Sequence, residues 1–96
     1  MQHNDDSTNL AAMKQLISLP LPDGMALARL TDQLLKKRDA LSFVDDNWYD
    51  ALTEHIVTLD SAATFEPSNA DEKRQVENAL GYATSEIRRL VDAKMT

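Results

Sequence analysis

The sequence predicts an all-α protein: a small, largely antiparallel bundle of three to four helices ending in a long C-terminal helix. Three observations carry that prediction. Only two glycines and three prolines punctuate 96 residues. Leu, Ala, Lys, Glu and Gln, all good helix formers, are plentiful. Apolar residues recur at helical spacings in several separate segments, and no alternating strand pattern competes with them.

Taken in order, Met1 to Ser7 is polar and reads as a frayed, disordered tail, leaving residues 8–96 as one helical domain. A first helix is expected from about Asn9 to Ser18, capped by Ser7 or Thr8 and burying Leu10, Met13, Leu16 and Ile17. The run Leu19-Pro20-Leu21-Pro22 then forces extended backbone, because each proline disfavours helix at the residue before it. Asp23-Gly24 reads as a turn, with Asp23 placed to cap a second helix over Gly24 to Ala40. Leu27, Leu30, Leu34 and Leu41 form its apolar stripe. Lys36, Lys37 and Arg38 complement the dipole at its end.

Asp45 is the expected N-cap of a third helix over Asp46 to Asp60, with Val44 and Tyr49 spaced as a hydrophobic staple. Trp48, Leu52, Ile56, Leu59 and Ala63 share its core face. Ser61 to Pro67 reads as a loop whose Phe65 ring returns to the core. Ser68 or Asn69 opens the fourth helix, with Asp71 or Glu72 three residues on in the manner of a capping box. That helix runs from about Ala70 to Lys94. Val76, Leu80, Ala83, Ile87 and Leu90 follow the four-three alternation of a bundle or coiled-coil seam, which makes them the candidate oligomer surface. Gly81 in mid-helix costs about 1 kcal/mol relative to Ala, and close approach of another helix is the expected reason for it.

Charge narrows the function classes. The net charge of −6 repels nucleic acid and anionic membrane surfaces, so direct nucleic-acid binding is not expected. No apolar run approaches the roughly 20 residues of a membrane helix, and the start lacks a basic, apolar leader. With no cysteine there is neither disulfide nor thiolate chemistry. A cytoplasmic protein is expected.

Catalytic machinery is not legible. No glycine-flanked serine elbow and no glycine-rich phosphate loop occur, and Gly24 and Gly81 lie far apart. The two histidines, His3 and His55, have no ligand partner at chelating spacing, so no metal site and no cofactor is expected. The chain reads as a binding protein, not an enzyme.

The acidic stretch is the one pattern that points to a partner. Residues 39–66 carry seven carboxylates and no Lys or Arg. Asp46, Asp50 and Glu54 stack at four-residue intervals on a helix, although like charges so placed oppose it by about 0.2–0.5 kcal/mol per pair. With Trp48 and Tyr49 beside them, they form a candidate surface for a basic protein. Carboxylates would steer the encounter and aromatics would anchor it. A bland account competes: Asp45 and Asp46 suit a helix N-terminus, Lys36, Lys37 or Arg38 can pair with Asp50 or Glu54, and Trp48 has the phase of a core residue. The expected function is sequestration or inhibition of a basic partner, of the bacterial immunity-protein or secretion-chaperone kind. A homodimeric or larger assembly module and a nucleic-acid-mimicking inhibitor are the alternatives.

Overall fold

The computed structural model describes residues 3–18 and 21–95, with side chains from Asp6 onward in the first of these stretches. Four helices make up the described chain: α1 (His3–Leu16), α2 (Gly24–Asp39), α3 (Asp46–Thr64) and α4 (Ala70–Met95). No strand occurs among the described residues. The all-α reading and its long last helix therefore hold. At 1.5 Å per residue α4 alone is about 39 Å long, which sets the 50 Å length of a molecule 22 × 19 Å across.

The helices form a ring in which α2 and α4 each contact both α1 and α3, while α1 and α3 lie diagonally opposite. Each supplies an apolar stripe to one interior: Leu10 and Met13 from α1, with Ile17 just past its end; Leu27, Leu30 and Leu34 from α2; Trp48, Leu52, Ile56 and Leu59 from α3; Ala83, Ile87, Leu90 and Val91 from α4. Leu41 adds to it from the connection after α2. Leu16, expected inside, is half-buried, because Ile17 takes the inward phase at the end of α1. The buried hydroxyls are satisfied. Thr31 bonds the Ala28 carbonyl at 2.7 Å and Asp60 at 3.1 Å, and Thr84 donates to the Leu80 carbonyl at 2.7 Å.

Several boundaries and caps differ from expectation. α1 begins at His3, so Ser7 and Thr8 lie inside it instead of capping it. Asp6 accepts from the Ser42 amide at 3.0 Å and from the Ser42 hydroxyl at 2.7 Å, tethering a turn expected to fray. Residues 1 and 2 of the expected tail, and Leu19-Pro20, lie outside the described residues. The Asp23 side chain makes no cap bond. Its carbonyl takes the first helical bond from Leu27, and Gly24 adopts φ +56°, a left-handed conformation that glycine accepts without strain. At α4 the alternatives resolve to Asn69, which accepts from the Glu72 amide, while the Glu72 carboxylate reaches back to the Ser68 amide.

α3 continues four residues past Asp60, to Thr64, since nothing in Ser61-Ala62-Ala63-Thr64 breaks a helix. Phe65 therefore stands at its C-cap with 47% of its surface exposed, and its ring does not return to the core. Gly81 faces open space, with nothing within 4 Å of where a Cβ would stand, so no helix approaches it.

Candidate functional site

Asp45 caps α3 as expected, its carboxylate accepting from the Trp48 amide at 3.1 Å. The same carboxylate takes a 2.7 Å ion pair from Lys94 in the last turn of α4. Those two bonds, the Lys94 one foremost, hold its pKa below the usual carboxylate value against the opposing effect of burial. The Lys94 ammonium also lies 5.1 Å from the centre of the Phe43 ring and 6.0 Å from Trp48.

The aromatic group is built differently from the staple the sequence suggested. Val44 is 89% exposed and staples nothing. Phe43 stacks on Tyr49 at 5.4 Å and meets Trp48 edge-on at 5.1 Å, and the Tyr49 hydroxyl donates to the Phe43 carbonyl. Burial, reinforced by the charges of Asp6 and Asp45, raises the Tyr49 pKa, while Arg38 opposes them.

Trp48 itself is only 6% exposed, and its indole N–H donates 2.8 Å to the Leu90 carbonyl. It is a core residue joining α3 to α4 and has no free face to offer a partner. Tyr49, half-buried, is the aromatic left at the edge of the candidate surface. Asp46, Asp50 and Glu54 do stand exposed along the outside of α3, and none forms an ion pair among the described residues. The internal pairing that would have explained them is absent from the nearest cations. Lys36 pairs with Asp32 at 3.1 Å, and Arg38 bonds Asp39 at 2.8 Å and the Thr53 hydroxyl at 2.7 Å.

Of the candidate seam, Ala83, Ile87 and Leu90 are consumed by the chain's own core, and Val76 and Leu80 are half-buried. The surface they were expected to offer a second chain is reduced to those two.

A feature not read from the sequence lies at the other end of α3. Away from the Asp45–Lys94 pair, the C-terminal half of α3 runs beside the first half of α4. Here Val57, Ala62, Phe65, Val76 and Ala79 line a groove of about 400 Å³ between α3 and α4. His55 packs edge-on against Tyr82, their rings 5.7 Å apart. Beside them Arg89 bonds Glu86 at 2.8 Å, which lowers the Glu86 pKa and raises that of Arg89. One signal was available: Val57 falls three residues after Glu54, on the polar face of α3 and off the core phase.

No group of three potential metal ligands converges among the described residues, and no helix there is long and apolar enough to cross a membrane. Compared with protein-family models, curated proteins and solved structures, the chain matches none.

Proposed function

We propose that the protein is a small acidic binding module that docks on a basic surface of another protein through the outer face of α3. The mechanism is occlusion, in the manner of an immunity-type inhibitor or a secretion chaperone, and it uses no cofactor and no covalent step. The cytoplasm is the compartment proposed for it. One observation supports this reading above the others: Asp46, Asp50 and Glu54 are exposed and form no ion pair among the described residues, while Lys36 and Arg38 are engaged elsewhere. Carboxylates held in water at fixed four-residue spacing speed encounter with a cationic surface and set its register.

The rivals draw less support. A self-assembling seam has lost Ala83, Ile87 and Leu90 to the chain's own interior. A phosphate mimic needs an unbroken acidic face, and Lys36–Arg38 and Arg88–Arg89 interrupt the charge pattern.

Immobilised protein and a charge-reversed variant, D50K with E54K, are compared for capture from the native lysate at two salt concentrations. The expected result is one stoichiometric partner that the wild type holds at low salt and releases at high salt, and that the variant fails to hold. Equal capture by the variant refutes the acidic face.

A further inference from the structure

The outer face of α3 changes character halfway along. Its positions run Asp46, Asp50, Glu54, Val57, Ser61 and Phe65, at spacings of four, four, three, four and four residues. One strip thus carries three carboxylates and then, on either side of Ser61, Val57 and the C-cap residue Phe65. Its apolar half forms one wall of the groove whose other wall is α4, with Val76 and Ala79. Val57 is 51% exposed, and Tyr82, one turn beyond Ala79, is 64% exposed. Three of the chain's large exposed apolar side chains, Val57, Phe65 and Tyr82, therefore follow this one α3–α4 face. Thr58, Ser61, Glu72 and Gln75 interrupt these side chains, yet the open groove between the helices is mostly apolar and suits the apolar face of a docking helix.

We infer that the groove receives an amphipathic helix of the protein partner. Its apolar stripe seats between Val57, Phe65 and Val76, and its Lys or Arg residues continue along the same strip to Glu54, Asp50 and Asp46. The inference rests on the acidic docking reading and names the element that docks. Charge complementarity selects the occupant. A second copy of the chain brings a net charge of −6 to three unpaired carboxylates, and an anionic lipid surface has the same wrong sign. A cationic helix alone matches both halves, and a helix lying in a groove is a common mode of peptide recognition. The strip from Asp46 to Phe65 is about 28 Å long at 1.5 Å per residue, so the docking helix needs about 19 residues. Large apolar residues at three- and four-residue spacing occupy one half, and cations at four-residue spacing occupy the other.

A displayed library of 20-residue helical peptides, randomised along one face, is selected on the whole protein, and enriched peptides are titrated with a fluorescent label. The expected sequences carry Leu, Ile, Phe or Met in one half and Lys or Arg in the other. Their affinity falls about tenfold or more for V57E and again for D50K with E54K. Val57 is exposed, so V57E leaves the thermal melt unchanged. Peptides enriched in cations alone and indifferent to V57E overturn the groove and leave the acidic face standing. Apolar peptides indifferent to D50K with E54K overturn the pairing and the acidic reading with it. No enrichment over a blank surface overturns the inference, as does self-association by light scattering that V57E abolishes.

Discussion

Trp48→Phe separates a core residue from a partner anchor, and its cost follows from the contacts of the ring. The substitution removes an indole N–H that donates 2.8 Å to the Leu90 carbonyl at a buried site. That bond is worth about 1 kcal/mol net, and the smaller ring forfeits one to two methylene equivalents at about 0.8 kcal/mol each, giving about 2 kcal/mol in all. A domain of this size holds about 5–15 kcal/mol, so the variant still folds. Its melting temperature should fall by about 10 °C, followed by far-UV circular dichroism because the substitution removes the only tryptophan. Before substitution, the wild-type emission should be that of an indole shielded from water. Binding to the partner should be unchanged, since the ring faces α4. A stability loss under about 0.5 kcal/mol, or a water-exposed emission spectrum, would refute the placement of Trp48 in the core.

Two further substitutions test local features. Gly81→Ala should stabilise α4 by about 0.8–1.0 kcal/mol, because an added Cβ meets nothing within 4 Å and alanine is the better helix former. A lowered melting temperature would mean that another segment approaches that face. Asp45→Asn should remove a pH-dependent part of stability. The folded pKa of Asp45 is depressed from 3.8, so its contribution is full above that value and is lost as pH falls through the lower folded one. Urea midpoints of wild type and variant should therefore differ by a constant amount near neutrality and converge in acid; a gap that persists in strong acid refutes the Lys94 clasp.

What was legible from sequence was the periodic part. The leucines of α2, the Trp48–Leu52–Ile56–Leu59 face and the Ala83–Ile87–Leu90 run all lie inside, because spacing alone specifies a buried stripe. The exposure of Asp46, Asp50 and Glu54 follows from the same phase. Trp48 shows how two expectations on one residue compete: its phase with Leu52 prevailed over its adjacency to the carboxylates. Contacts between distant residues left no local signal. Asp6 on Ser42, Lys94 on Asp45 and the Phe43 stack on Tyr49 depend on how helices meet, so sequence periodicity places neither the start of α1 nor the aromatic group. Hydrophobicity alone predicts Phe65 inside, whereas the four extra residues of α3 carry it to the rim.

The clasp between α3 and α4 has a mechanical consequence. The Trp48–Leu90 bond and the Lys94–Asp45 pair both sit where α3 begins and α4 ends. Toward the opposite end, no side chain of α3 beyond Leu59 and none of α4 before Ala83 is fully buried. The two helices resemble the arms of a clothes-peg, riveted at one end and lightly held at the other. At the Phe65 end Leu27 of α2 is still fully enclosed, but α3 and α4 contribute only part-buried side chains there, so that end should open more readily than the riveted one. Amide hydrogen exchange should map this gradient along α4, fast near Gln75 and slow near Leu90.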